Sequence, residues 1–214
     1  MNEAIAAAPR RTFLEELRVQ RLDDHRYYHH CRINQSLHLM SACCFLACYA
    51  LLFSEPVVAA LLGWLGAMVL RQSGHFFFEP KGYDHVNQAT HQHKEAIKVG
   101  YNLRRKIVLL AAWVAIPLVL WLSPSLFGTL APHADFGGFL GRVAFAWIAL
   151  GVAALLARTA WLVATRDLLT GAAWATKILT DPFHDVALYW RAPLQLLRGE
   201  RFDAEFLAAR KHGA

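Results

Sequence analysis

Histidine is the residue whose distribution along this chain first points to chemistry. The chain has 11 histidines, and two groups of them flank the first two apolar blocks. The group before the first block comprises His25, His29, His30 and His38, and the group after the second block comprises His75, His85, His91 and His93. Imidazole is a good ligand for zinc, copper, iron and nickel, so two such groups on one side of a membrane predict a metal site.

Helical spacing relates members of the first group. Residues 30, 34 and 38 share one face of a continuous helix, so His30, Asn34 and His38 would point the same way. His29 would point about 100° away from His30. This geometry favours His30 over His29 as the partner of His38, unless the helix begins after His30.

The second group offers further ligand pairs. His75 and Glu79 are four residues apart and could present a nitrogen and an oxygen to one ion. His91 and His93 could both reach one site only from non-helical backbone, whereas His85 and His93 could share a helix face. The sequence leaves open whether His85, His91 and His93 complete a second metal position or belong to a solvated loop.

Composition indicates a helical membrane protein. Apolar residues make up 56% of the chain and charged residues only 18%, and the mean hydropathy is +0.28, a balance that does not suit a soluble globule. The net charge of +6 does not indicate nucleic-acid binding, because the basic residues cluster beside apolar blocks. The sequence indicates no particular oligomeric state.

Several familiar metal motifs are absent from the sequence. The four cysteines form no CxxC pair, and three of them lie inside the first apolar block, where buried thiols are expected. The sequence also lacks HExxH and ExxH. These absences weigh against a zincin, a zinc ribbon and a carboxylate-bridged di-iron bundle.

Four apolar blocks predict an all-α, polytopic membrane protein of about four spans, with interfacial helices at both termini. We expect one membrane domain with an interfacial helix at residues 11–36, a hydrophobic hairpin at 37–70, a cytoplasmic histidine-rich segment at 71–106, a second hairpin at 107–165 and peripheral helices at 166–214. The second block, residues 56–70, would cover only about 22 Å of a hydrocarbon core of about 30 Å. Either the following phenylalanines extend it, or the first hairpin is shallow.

Local signals predict details of the later helices. Pro117 lies inside the third block, where a membrane helix tolerates proline but should be kinked by it. Asp181 could cap a peripheral helix with Pro182 in its first turn. Tyr189 suits a position among the lipid headgroups.

Loop charges predict the orientation of the chain. The turn at residues 54–56 and the stretch 123–138 contain no lysine or arginine, whereas both terminal segments and residues 71–106 are rich in them. The positive-inside rule therefore predicts that both termini and the 71–106 segment are cytoplasmic, with Arg142 as the one exception, in a bacterial inner membrane or an endoplasmic reticulum. The rule makes no use of histidine, yet it places every histidine except His133 on the cytoplasmic side.

Two motifs resemble those of a known family. YHHCRINQSLH at residues 28–38 has the form HHxxxNxxxH, and GHFFFE at residues 74–79 has the form GHxxFE. Both are similar to motifs of the fungal 2-hydroxy fatty acid dioxygenase family, small multispanning proteins with bacterial relatives. The motifs occur in the family's order around the first hydrophobic hairpin, and the resemblance covers about residues 24–80. This chain departs from the family at Arg71, where a glutamine is common.

The resemblance implies an Fe(II)-dependent oxygenase that uses O₂ to shorten a 2-hydroxy fatty acid by one carbon. The positions that match the family's motifs are His29, His30, Asn34, His38, His75 and Glu79. On this interpretation His30, His38 and His75 hold the iron, and Glu79 is a weaker ligand or a nearby base.

The other groups near the motifs receive roles on the same interpretation. Asn34 would hydrogen-bond a ligand histidine or a bound water. Arg71 or Lys81 would pair with the carboxylate of the substrate, and the acyl tail of this lipid substrate would lie among the spans.

The residues leave three other functions open. A histidine-cluster di-iron hydroxylase or desaturase acting on a fatty-acyl or lipid substrate would require most of the eight grouped histidines. A haem-binding membrane protein would need two histidines on facing spans, and His38 is the strongest candidate within a span. A non-enzymatic interaction or scaffold protein would need none of them.

Overall fold

The computed structural model describes residues 11–79, 82–101 and 103–212. Within these ranges the chain is helical and contains no β-strand, only two isolated β-bridges, so the all-α prediction is confirmed. In chain order the helices are α1 (Phe13–Tyr28), α2 (Arg32–Leu51), α3 (Pro56–Phe78), α4 (His91–Ile97), α5 (Leu103–Leu122), α6 (Phe136–Thr165), α7 (Leu168–Tyr189), α8 (Ala192–Leu197) and α9 (Ala204–His212).

Three described helical stretches are long and apolar enough to cross a membrane, by length and composition. They are α3, residues 105–122 of α5, and α6. α3 includes the phenylalanines at 76–78, so the second apolar block is extended rather than short. α2, which contains the first apolar block, is not among the three, and the fourth span and the orientation remain predictions.

The helix is interrupted between α1 and α2, within the segment 11–36 that the sequence predicted as one interfacial helix. Residues 29–31 leave the helical conformation, and Cys31 forms an antiparallel bridge with Phe202. The backbone N–H of Asp203 also donates to the carbonyl of His30 over 3.0 Å. These bonds to the C-terminal segment satisfy backbone groups that a continuous helix would have paired internally. The helix that carries His38 therefore begins after His30, which is the alternative that the sequence left open.

The helices pack around a central pair formed by α2 and α3. α2 packs along α3 on one side and against α7 on another, and α7 also packs on α1 and α6. Three indoles join the candidate spans: Trp64 donates to the carbonyl of Trp147, and Trp147 donates to the carbonyl of Trp113, each over 3.0 Å. These bonds satisfy buried N–H groups while the rings fill the space between α3, α5 and α6.

The helix structure of residues 168–189 differs from what the local sequence predicted. α7 begins after Asp167, whose side chain caps it, and continues through Pro182. Asp181 lies in mid-helix and accepts a 2.6 Å hydrogen bond from Lys177, so the prediction that Asp181 caps a helix is wrong. Tyr189, predicted to lie at headgroup level, has its side chain buried inside the protein. Much of α7 is buried against its neighbours, so this part of the predicted peripheral region belongs to the helical bundle.

Candidate metal centre

Three histidines from different helices meet in the interior. One ring nitrogen of each of His29, His38 and His75 lies within 4.8 Å of the other two. The ring centroids of His29 and His38 are 4.3 Å apart, and those of His38 and His75 are 4.8 Å apart. Among residues 11–79, 82–101 and 103–212 this is the only group of His, Cys, Asp and Glu arranged in this way. We refer to these three residues as the histidine triad.

Local structure explains how each ring reaches the triad. His29 ends α1 at the break, His38 lies in the buried face of α2, and His75 lies in a π-helical turn of α3. π-Helical turns are rare and occur frequently at functional sites. Gly74 precedes His75, and a Cβ at this position would overlap the side chain of Asn34. The absence of a side chain at residue 74 thus lets α3 approach α2 closely enough for the rings to meet.

Hydrogen bonds at Nδ1 orient two members of the triad. The Nδ1 of His38 lies 3.0 Å from the carbonyl of Asn34, which can only accept, so His38 Nδ1 carries the proton. The Nδ1 of His75 lies 3.1 Å from Glu79 Oε1, and an ionised carboxylate likewise only accepts. When Glu79 is ionised, both Nε2 atoms carry lone pairs, and they face each other over 3.4 Å. A protonated Glu79 donates to His75 Nδ1 instead, and the His75 proton then lies on Nε2, where it can donate to His38. Two facing lone pairs repel unless a cation or proton lies between them, so the arrangement suits a metal ion.

His29 supplies the third nitrogen. Its Nδ1 lies 2.8 Å from Tyr189 Oη, and its Nε2 is buried without a hydrogen-bond partner. Burial, reinforced by the neighbouring His38 and His25 rings, lowers the pKa of His29 well below its usual range. The ring is therefore neutral near pH 7, as a metal ligand must be.

Glu79 stands behind His75 and is not a member of the triad. Burial raises the pKa of Glu79 to about 7, and the nearby charges of Lys98 and Lys106 oppose that shift. A carboxylate behind a ligand histidine fixes the orientation and tautomer of the ring. Of the two roles predicted for Glu79, weaker ligand or nearby base, the geometry is closer to the second, because its contact is with the outer nitrogen of His75.

Asn34 acts through its backbone as well as its side chain. Its side chain donates to the carbonyl of Tyr28 over 3.0 Å, whereas the sequence predicted a hydrogen bond from this side chain to a ligand histidine or a water. The contact with His38 is made instead by the backbone carbonyl of Asn34. Asn34 is completely buried, so it links the end of α1 to the middle of α2.

His30 points away from the triad. Its Nε2 lies 3.6 Å from an Asp84 oxygen, its Nδ1 lies 3.8 Å from an Asp203 oxygen, and its ring stacks on Phe206. The preference for His30 over His29 held only for a helix that continues through residue 30, and α2 begins after it, at Arg32. The break between α1 and α2 turns His29, and not its neighbour, toward His38.

The remaining predicted histidines do not join the triad. His85 is exposed and contacts Tyr83, with ring centroids 5.0 Å apart. His91 and His93 lie in the first turn of α4, where His93 is exposed and His91 half-buried. Because this backbone is helical, His91 and His93 point in different directions, and the described residues form no second metal position with them.

Arg71 is engaged by an acidic side chain. Its guanidinium lies 2.5 Å from Asp185, which is 1% exposed. This ion pair joins α3 to α7, so the geometry gives Arg71 a structural partner where the sequence predicted a grip on a substrate carboxylate. Lys81, the other cation predicted for that role, lies outside the described residues.

A large cavity opens beside the triad. Its volume is about 460 Å³, and all three triad histidines contribute to its wall. Most of the other lining side chains are apolar and come from α2, α3, α5, α6 and α7; they include Phe45, Trp64, Leu109, Ile148 and Leu155. Lys98 and Lys106 also line it. The arrangement can hold an elongated apolar molecule beside a nitrogen-rich metal site.

Sequence reasoning missed two contributors to this site. Tyr189 contacts His29 from 160 residues away, and no local pattern marks it. The apolar residues of α6 that line the cavity look like ordinary span residues. His25 was grouped with the other histidines but received no role, although its Nδ1 contacts both Tyr189 and His29.

Comparison with known proteins adds no relative. No family model, no curated protein and no solved structure matches this chain. The resemblance of its two motifs to the 2-hydroxy fatty acid dioxygenase family therefore stays a prediction from sequence.

Proposed function

We propose that this chain is an Fe(II)-dependent membrane oxygenase that acts on a lipid-like substrate. The observation that carries the proposal is the convergence of three buried imidazoles in the wall of an apolar cavity. The more specific reaction that we propose is the oxidative shortening of a 2-hydroxy fatty acid by one carbon. That reaction is the one implied by the HHxxxNxxxH and GHxxFE motifs.

The donor set fits a single metal ion. His38 and His75 have their Nδ1 atoms engaged by acceptors, and the Nε2 of His29 is a buried nitrogen without a partner. Three neutral imidazoles suit iron, although they also suit zinc, copper and nickel. Bound Fe(II) would supply the oxygen chemistry. Only three of the eight grouped histidines direct a nitrogen toward one common position, which favours this proposal over a histidine-cluster di-iron enzyme.

The protein's own residues prepare the site in three ways. The carbonyl of Asn34 and the carboxylate of Glu79 hold the rings of His38 and His75 in one tautomer. The apolar side chains that line most of the cavity surround the place where the acyl tail would lie. Lys98 lines the cavity and acts on Glu79, so its charge stands near the triad, where the acid group of a fatty acid would lie.

Metal analysis of ligand variants tests the site. We expect wild-type protein purified without oxygen to bind about one equivalent of Fe(II), and alanine at His29, His38 or His75 to remove most of it. His93→Ala is the matched control, because His93 is exposed and outside the triad. Loss of metal in His93→Ala with retention in His29→Ala would contradict the assignment and favour the di-iron alternative.

Oxygen uptake tests the reaction. The iron-loaded protein should consume O₂ with a long-chain 2-hydroxy acid and release the acid one carbon shorter. The same acid without its hydroxyl should be inert, because it lacks the second oxygen with which to chelate the metal. Hydroxylation of the unmodified chain, with no turnover of the 2-hydroxy acid, would refute the specific reaction and leave a lipid hydroxylase.

A further inference from the structure

We propose that Tyr189 is a positioning residue that holds His29 with its Nε2 lone pair toward the triad, and that His25 completes the hydrogen-bond chain that makes this possible. The inference rests on the proposed function, because it concerns the same metal site. It adds a contribution from the C-terminal part of the chain, which neither sequence motif includes.

The contacts that support this proposal are made by the buried hydroxyl of Tyr189. Tyr189, at the end of α7, is 4% exposed. Its Oη lies 2.8 Å from the Nδ1 of His29 and also within hydrogen-bond distance of the Nδ1 of His25. His25 and His29 lie one turn apart on α1 and its C-cap, so a single hydroxyl reaches both rings from α7.

The number of protons available decides which group donates in the contact between Tyr189 and His29. A tyrosine hydroxyl donates one hydrogen bond and accepts others, and a neutral imidazole has one N–H and one lone pair. If Tyr189 donated to His29, the His29 proton would sit on Nε2 and block that nitrogen as a ligand. If Tyr189 donates to His25 instead, its oxygen accepts from His29 Nδ1, and the Nε2 of His29 keeps its lone pair.

The surroundings favour the second arrangement. The Nε2 of His29 makes no hydrogen bond, so a proton placed there would be a buried, unsatisfied donor, which is unfavourable. A lone pair at the same position, together with those of His38 and His75, forms a set of three nitrogens for one cation. The chain therefore runs from His29 Nδ1–H to Tyr189 Oη–H to His25 Nδ1.

His25 is the acceptor that the geometry offers for the Tyr189 proton, because its Nδ1 lies within hydrogen-bond distance of Tyr189 Oη. The ring of His184 lies against His25, with centroids 5.1 Å apart. His184 provides the control, because it is an imidazole packed on His25 that the proposed hydrogen-bond chain does not use.

Metal titration of tyrosine variants tests the proposal. In Tyr189→Phe the ring remains and only the hydroxyl is removed, and we expect the affinity for Fe(II), measured anaerobically, to fall about 10–100-fold. Tyr49→Phe is the matched control: its hydroxyl donates to the carbonyl of Leu179 over 3.2 Å, between α2 and α7, and Tyr49 lines the same cavity. We expect Tyr49→Phe to bind Fe(II) as wild type does.

A second readout separates positioning from simple loss of stability. Metal-free Tyr189→Phe and Tyr49→Phe should both melt somewhat earlier than wild type, because each loses a hydrogen bond. Only Tyr189→Phe should show a smaller rise in melting temperature on addition of Fe(II), since that rise depends on affinity. His25→Ala should weaken Fe(II) binding in the same direction, and His184→Ala should not.

The outcomes distinguish this inference from the proposed function. If wild-type protein binds no Fe(II), the proposed function fails. If wild type binds Fe(II) and folded Tyr189→Phe binds it equally well, the inference is overturned while the metal site stands. If Tyr189→Phe does not fold, as judged by size-exclusion chromatography, equal Fe(II) affinity of His25→Ala and wild type overturns it instead.

Discussion

Gly74 is the position at which one added methyl group should damage the site most directly. A Cβ there would overlap Asn34 Oδ1 and would lie 3.1 Å from Cε1 and 3.2 Å from Nδ1 of His38. Neither neighbour is free to retreat: both are completely buried, Asn34 donates to Tyr28, and His38 Nδ1 donates to the Asn34 carbonyl. Gly74→Ala should therefore push α3 away from α2 and carry His75 out of register with His38.

The expected magnitude combines two opposing terms. Overpacking a tight core costs about 1–3 kcal/mol, and alanine in place of glycine inside a helix returns about 1 kcal/mol. The net loss in the free energy of unfolding is then about 0–2 kcal/mol, which corresponds to a fall of at most about 8 °C in the melting temperature for a protein of this size. The larger effect should be functional, because a displacement of about 1 Å at a reacting centre can reduce turnover about 100-fold.

Gly66→Ala provides the control on the same helix. A Cβ at Gly66 would lie 3.4 Å from Cys44 Sγ and from Leu62 Cδ1, an ordinary contact, so this variant should gain stability and keep its metal. Adding Asn34→Ala to Gly74→Ala removes the colliding oxygen and should restore part of the lost Fe(II) binding. Thermal melting and Fe(II) titration measure both effects. If Gly74→Ala matched Gly66→Ala in both assays, the close approach of α3 to α2 would not position the triad.

Two further predictions concern α7. Arg71→Ala should lower the free energy of unfolding, because it removes the guanidinium that lies 2.5 Å from the buried carboxyl of Asp185. Adding Asp185→Ala should recover part of this loss in chemical or thermal unfolding. Additive losses would argue against the pair. Asp167 accepts a hydrogen bond from the backbone N–H of Thr170, which holds the pKa of its carboxyl below the usual range. The ionised Asp167 should therefore stabilise the folded protein at pH values above about 4, the pKa of an aspartate in the unfolded chain. This stabilisation should be lost as the pH falls through the lower pKa of Asp167 in the folded protein. Asp167→Asn should keep the cap at neutral pH and remove this pH dependence, as melting temperatures on both sides of about pH 4 would show.

Local pattern determined a large part of this protein. Long apolar blocks predicted helices in the right places, because hydrophobic periodicity and turn residues act over a few neighbours. The spacing of His75 and Glu79 predicted that they share a helix face and could bind one ion, and their side chains contact each other at 3.1 Å instead. His38, which the sequence predicted as a ligand, is one of the three histidines that meet, and its place in α2 depends mainly on its own helix.

Tertiary structure decided which neighbour of His38 completes the triad. His29 and His30 are adjacent, and helical geometry alone favoured His30. The C-terminal segment reversed that preference by taking up the backbone bonds of residues 29–31, through Phe202 and Asp203. Contacts between residues more than 160 positions apart leave no periodic signal in either segment. A local sequence pattern therefore could not predict that the helix is interrupted at residues 29–31.

The same reasoning applies to α7. Asp181 and Pro182 have the form of a helix start, yet the helix runs through them, because Asp167 caps it earlier and its buried face packs against α1, α2 and α6. Tyr189 looks like a membrane-interface residue by type, and only the packing of α7 on α1 brings its hydroxyl to His29 and His25. Residue type thus determined which groups could do chemistry, and long-range packing determined which of them meet.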